Sequence, residues 1–273
     1  MSNLEAVVLG LVQGLTEFLP VSSTAHLRIV PALLGWEDPG AAYSAVIQLG
    51  TVGAVIVYFA KDLGRLIRAF VQGLAARQPF GTEDSRLAWF VGLGTIPIGV
   101  LGLLFKKHIE TSLRSLYVIS GSLIILALVL FAAERIASHR RTLSEMTLRD
   151  GLIIGFWQAM ALIPGSSRSG TTLTGGLWLG FTRADAARYS FLLSVPATSL
   201  AGIFELKHLL EASASPPVAL MVVGTAVSFV SGLAAIWGLL RFLRTQSTLV
   251  FVAYRIVLGL GLLGLLRAGV LTP

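Results

Sequence analysis

The sequence predicts an all-α polytopic membrane protein: six transmembrane helices plus two re-entrant helical hairpins arranged as an inverted-topology repeat. Three observations carry this. Of 273 residues, 55% are hydrophobic and only 13% charged, with a mean hydropathy of +0.80, whereas soluble domains sit near a quarter charged. Six apolar runs are each close to the ~20 residues that cross a hydrocarbon core of ~30 Å. Two short stretches also resemble one another, and each sets polar residues inside apolar sequence.

The chain opens with two apolar runs too short to cross, 6–18 and 27–34, flanking Gly10-Leu-Val-Gln13-Gly-Leu-Thr-Glu17-Phe-Leu-Pro20-Val-Ser22-Ser23-Thr24-Ala-His26. A helix over 6–18 reaches only about 20 Å, so this pair reads as a hairpin that dips in and returns. Spans follow at 41–60, 87–105 and 115–133. A second pair of short runs, 152–163 and 171–180, flanks Gly155-Phe-Trp-Gln158-Ala-Met-Ala-Leu-Ile-Pro164-Gly-Ser166-Ser167-Arg168-Ser169-Gly170. Spans at 189–206, 217–240 and 249–270 complete the chain. Gly, Gln, Pro and Ser-Ser recur in the same order, 145 residues apart at the start and 144 after one gap. Irregular backbone at membrane depth is tolerated only when buried in protein or lining a wet cavity.

Each half therefore reads hairpin, span, span, span. Three spans is an odd number, so the second half sits upside down relative to the first, an architecture seen in transporters with sites near the midplane. The whole chain, 1–273, is one integral membrane domain. Residues 1–133 form the first repeat, with its hairpin at 6–34. Residues 150–273 form the inverted second repeat, with its hairpin at 152–180. No polar stretch is long enough for a separate soluble domain. The N-terminus lacks a basic n-region and a small-residue cleavage site, so the first apolar segment is expected to remain.

The net charge of +7 is explained by topology rather than nucleic acid. Thirteen of the 21 Lys and Arg fall on the side reached after the first span, at 61–86, 135–149, 183–188 and 241–244. The other side carries six: Arg28, Lys106, Lys107, Arg114, Lys207 and Arg267. The positive-inside rule makes the first side cytoplasmic, with both termini extracytoplasmic. Arg168 and Arg255 remain, inside the membrane. With no cysteine, thiolate chemistry and disulfides are excluded.

Ionisable groups at membrane depth are costly and mark functional sites. Gln13 and Glu17 are four apart and share a helix face; an amide oxygen and a carboxylate suit a hard divalent cation, Mg²⁺ or Ca²⁺. Ser22, Ser23 and Thr24 can cap the return helix, or one hydroxyl can attack as a nucleophile near His26 and Glu17. His26, three residues after Ser23, is a candidate acid/base. Gly165 and Gly170 permit close backbone approach, and free N–H groups at a helix start attract phosphate. Among Ser167, Ser169 and Thr172, Arg168 can hold phosphate bidentately, or pair structurally with Glu17. Arg255 reads as a structural partner or a snorkelling residue. These are parts for metal-assisted phosphoryl transfer on a phosphorylated lipid. A transporter that flips such a lipid would share the architecture; Glu17, Ser23 and His26 together distinguish the two, since flipping needs neither nucleophile nor base.

The chain resembles the bacterial undecaprenyl-diphosphatase family, whose excess confers bacitracin resistance. The likeness lies in Gln13 to Glu17, Phe18-Leu-Pro-Val-Ser-Ser-Thr24 with His26, Pro164-Gly-Ser-Ser-Arg-Ser-Gly-Thr-Thr172 and Tyr189-Ser-Phe-Leu-Leu-Ser-Val-Pro196. The resemblance implies hydrolysis of undecaprenyl diphosphate to undecaprenyl phosphate and phosphate, assisted by Mg²⁺ or Ca²⁺, recycling the lipid carrier for cell-wall synthesis in the bacterial inner membrane. By the same resemblance, Gln13 and Glu17 serve the metal or the diphosphate, and Ser23 is nucleophile or diphosphate ligand. His26 is then the acid/base and Arg168 the clamp, with Thr24, Ser167, Ser169, Gly170 and Thr172 contacting substrate. Gln13 stands where glutamate is commoner, and Ala25 where glycine is usual. The phosphatidic-acid phosphatase type is set aside, because it needs His six residues after the Arg and Thr174 stands there. The implied partners are the lipid diphosphate and the bilayer, not nucleic acid, with a homodimer left open.

Overall fold

The computed structural model describes residues 1–110, 113, 115–211 and 217–271; Arg114, one of the outer-side cations expected above, lies outside them. The described residues form helices in the order α1 (Asn3–Phe18), α2 (Ser23–Leu34), α3 (Gly40–Tyr58), α4 (Ala60–Ala75), α5 (Glu83–Glu110), α6 (Leu116–Ile136), α7 (Leu148–Ala159), α8 (Arg168–Trp178), α9 (Arg183–Glu211), α10 (Val218–Phe242) and α11 (Leu249–Arg267). A 3₁₀ turn, Met160–Leu162, extends α7. No strand occurs among these residues, only an isolated bridge between Arg141 and Phe181. Four helices, α5, α6, α10 and α11, are long and apolar enough to cross a membrane, and α3 with α4 makes a fifth if the bent pair is one span.

The two helical hairpins, α1–α2 and α7–α8, are built from matching local signals 145 residues apart. Capping boxes start α1 at Ser2 with Glu5 and α7 at Thr147 with Asp150, each pairing two orphan N–H groups of the first turn. Ser22 caps α2 and Ser167 caps α8, with φ of 76° and 68°, and their hydroxyls accept from the N–H of Ala25 and Gly170. Non-glycine residues rarely adopt positive φ, and such strain gathers at functional sites. The return helices end at Gly35 and Gly180, both left-handed. The backbone thus needs no gap between the halves. Ser22 matches Ser167 and Ser23 matches Arg168, which shifts by one the pairing expected from the Ser-Ser motifs, because the capping residue sets where each helix begins.

Glycines let the hairpins meet the long helices backbone to backbone, as close membrane packing requires. A Cβ on Gly10 would lie 2.5 Å from the Gly224 carbonyl on α10, and one on Gly155 would lie 2.4 Å from the Gly94 carbonyl on α5. So α1 lies along α10, and α7 along α5; α6 packs on α11, and α3 on α9. Between α1, α3 and α9, Phe18 meets Phe191 edge-on at 5.4 Å, and Phe59 meets the same ring at 6.2 Å.

One segment departs from expectation. Residues 61–86 read as a charged loop, but α4 fills most of them and bends 74° from α3. Leu66 is buried, Ile67 and Val71 are 63% and 57% exposed, and Arg65 and Arg68 are exposed. Core, apolar and charged faces on one helix suit an interface. The cations broke up an apolar run whose helical period was intact.

Candidate active site

The tips of the two hairpins meet, and Glu17 is where they join. It ends α1 one turn after Gln13, so Gln13 Nε2 donates to Glu17 Oε2 at 3.1 Å. Ser23 Oγ, opening α2, donates to the same oxygen at 2.7 Å. Arg168, opening α8, donates from NH2 to Glu17 Oε1 at 3.0 Å, with side chains 10% and 6% exposed. Ser169 Oγ adds a second tie, donating to the Leu19 carbonyl at 3.0 Å.

Beside this cluster lies a cavity of about 160 Å³, lined by Glu17, Ser22, Ser23, Thr24, Ser167 and Arg168 among others. Gln48 from α3 and Thr198 from α9 add polar groups, and Ile98, Ala161, Ile163, Ala197 and Ala201 add apolar ones. Ile98 and Ala197 directly follow Pro97 and Pro196, prolines inside α5 and α9. Each proline removes a helical N–H, so both interruptions of the backbone ladder fall beside the cavity. Arg168 Nε is buried without a partner, and an orphaned guanidinium N–H is costly unless something binds it.

Of the residues singled out from the sequence, Gln13, Glu17, Ser23 and Arg168 come together, while Thr24 and Ser167 line the cavity. Ser169, Gly170 and Thr172 are buried behind the turn, off the cavity wall. Thr172 Oγ1 lies 2.5 Å from Ser190 Oγ and donates to the Arg168 carbonyl at 2.7 Å. Arg168 NH1 donates to the Ser190 carbonyl at 3.4 Å, so Thr172 and Ser190 together anchor the start of α8. His26 does not reach Ser23: it sits one hairpin face away, with Nδ1 2.7 Å from the Ser22 carbonyl and Nε2 2.6 Å from the Tyr254 hydroxyl. A carbonyl only accepts, so Nδ1 carries the proton and Nε2 accepts from the tyrosine.

Sequence reasoning missed Gln48, Thr198, Ser190 and Tyr254. Each is a polar residue within an apolar span, Ser190 inside the Tyr189–Pro196 motif and Tyr254 beside Arg255, and that was the available signal. Gln158, the counterpart of Gln13, is fully buried with neither amide atom partnered; its i+4 neighbour is Leu162, where α1 has Glu17.

The donor set also bears on a metal. Among the described residues no three His, Cys, Asp or Glu gather to hold one. Gln13 and Ser23 face Glu17 as donors; with the Gln13 amide turned over, the three would offer a carboxylate, an amide oxygen and a hydroxyl on one spot. Mg²⁺ commonly takes one or two carboxylates and completes its shell with water and substrate phosphate oxygens. The residues present fit a hard cation shared with a phosphate ligand, not a cation held by protein alone.

Comparison with known proteins decides the family. The family described as bacitracin resistance protein BacA matches residues 6–261. The chain belongs to that family. As a family member with four or five helices able to cross a membrane among the described residues, it is a multi-pass membrane protein. It is 68% identical to the undecaprenyl-diphosphatase of Myxococcus xanthus strain DK1622, over all of this chain and 92% of that protein. Identity is 55% with the undecaprenyl-diphosphatase of Chloroherpeton thalassium, over 98% of each chain. It is 52% with that of Chlorobium phaeobacteroides strain BS1, over 99% of each.

Proposed function

We propose that this chain hydrolyses undecaprenyl diphosphate to undecaprenyl phosphate and inorganic phosphate in the bacterial inner membrane. The observation that carries the reading is the Glu17–Ser23–Arg168 cluster on a cavity lined by both polar and apolar residues, with Arg168 Nε left without a partner. A diphosphate supplies the acceptors that Arg168 and the start of α8 lack. The apolar lining residues suit the first isoprene units of the lipid.

In this reading Arg168 leaves Glu17 in part to grip the diphosphate, and Thr24 and Ser167 offer hydroxyls to its oxygens. Ser23 Oγ is the nucleophile or the ligand nearest the scissile phosphorus, and Glu17, which already accepts its proton in a hydrogen bond, orients it. His26 serves as acid/base once its ring leaves Tyr254. A divalent cation, Mg²⁺ or Ca²⁺, held by Glu17 and Gln13 together with the substrate, would neutralise phosphate charge. The architecture we assign is six spans, including α3 and α9, with two re-entrant hairpins. Residues 1–133 and 150–273 are inverted repeats, and both termini are extracytoplasmic. The repeated caps and glycine contacts support that assignment.

The deciding assay is phosphate release from a polyprenyl diphosphate by purified full-length protein, with and without a chelator. Release that the chelator suppresses and added Mg²⁺ restores is expected. Lipid translocation without release would mean a flippase.

A further inference from the structure

Arg255, midway along α11, is completely buried, yet no carboxylate among the described residues pairs with it. Its partners are backbone carbonyls. NH2 donates to Ser122 at 3.3 Å, Gly165 at 3.2 Å and Ser166 at 3.0 Å. Just before these, the Pro164 carbonyl accepts from Ser122 Oγ at 2.5 Å. Three successive carbonyls of the second hairpin turn are therefore held by α6 and α11, neither of which contributes a residue to the cavity that Gly165 and Ser167 line.

A trans peptide points its N–H opposite to its carbonyl. With the Ser166 carbonyl held by Arg255, the N–H of Ser167 faces the cavity side. The N–H groups of Arg168, on the cavity wall, and of Ser169, one residue behind it, follow at the start of α8, where a helix has no acceptor of its own. No described hydrogen bond uses any of these three donors. Gly170 makes room for the arginine: a Cβ there would lie 2.8 Å from Arg255 NH1.

We propose that Arg255 is a positioning residue of the diphosphate site. It holds the turn's carbonyls away from the cavity so that the turn's N–H groups face the anion, and bound diphosphate is the counter-charge that Arg255 otherwise lacks. This rests on the diphosphatase reading above.

The test uses full-length protein in detergent with inorganic pyrophosphate as the probe, following Tm and, separately, the KM for polyprenyl diphosphate. Pyrophosphate should raise the Tm of the wild type. Arg255→Met should melt lower without ligand, because its carbonyl partners are orphaned, and should also lose the pyrophosphate-induced rise. Its KM should increase at least ~10-fold. A lower unliganded Tm with the pyrophosphate-induced rise intact would mean that Arg255 is only structural, and the proposal would fail. If Arg255→Met does not fold, Arg255→Lys decides. It keeps a charge but not the fork, so a diminished rise with a raised KM supports the proposal, and wild-type values of both overturn it. A wild type that shows neither a pyrophosphate-induced rise nor phosphate release would sink the diphosphatase reading itself, before Arg255 is altered.

Discussion

Glu17 carries the junction between the two hairpins, with Gln13 and Ser23 on one oxygen and Arg168 on the other. Removing one member of a buried ion pair leaves the other charge uncompensated, at a cost of about 3–5 kcal/mol. Glu17→Gln should therefore lower Tm and abolish phosphate release, with added Mg²⁺ restoring only part of it; full restoration would show that the carboxylate serves the metal little. Arg168→Lys keeps the charge but loses the planar fork and the unpartnered Nε. Its turnover should fall at least tenfold, equivalent to about 1.4 kcal/mol, and near-normal phosphate release would end the clamp assignment. His26→Ala should lower kcat by about 10²–10⁴-fold, the usual contribution of an acid/base, while a lipid-binding assay still registers substrate. Lost binding with the fold intact would instead make the imidazole a support for the Ser22 carbonyl, the contact it makes here.

At the scale of elements, glycine lets α1 press against α10. A Cβ on Gly14 would lie 1.9 Å from Ser231 Oγ and 2.6 Å from the Ser228 carbonyl. Gly14→Ala must push α1 away, and overpacking of this kind costs about 1–3 kcal/mol. Gly92→Ala, on α5 with nothing within 4 Å of the new methyl, is the matched control. Thermal unfolding of both in detergent should show a lower Tm for Gly14→Ala alone. Equal melting would mean that the α1–α10 contact is looser than its geometry indicates. The same displacement moves Glu17, so turnover should fall with stability.

Across the whole molecule, ion pairs tie the helices at the end where the basic loops lie. Arg183 Nε donates to Glu134 at 2.7 Å, and Thr248 Oγ1 to the other carboxylate oxygen at 2.8 Å, joining α6, α9 and the start of α11. Arg141 donates to Asp150 at 2.6 Å, and Arg188 to Asp62 at 2.7 Å. The chain holds no cysteine, so single cysteines report topology cleanly. An impermeant thiol reagent on intact cells should label Glu37→Cys and spare Gln78→Cys until the membrane is permeabilised; the reverse pattern would invert the proposed orientation. The sequence by itself determined what depends on near neighbours. Gln13 and Glu17 share a face at i and i+4, the hairpin arms end at their polar turns, and the motifs mark Glu17, Ser23 and Arg168 for one site. Tertiary packing decided the rest. Whether His26 faces Ser23 or Tyr254, which carbonyls Arg255 holds, and that Gln48 and Thr198 reach the cavity all depend on how helices rotate about their axes. The glycine contacts help set that rotation across separations of more than two hundred residues. Local periodicity carries no record of it, because an apolar span reads alike toward lipid and toward protein.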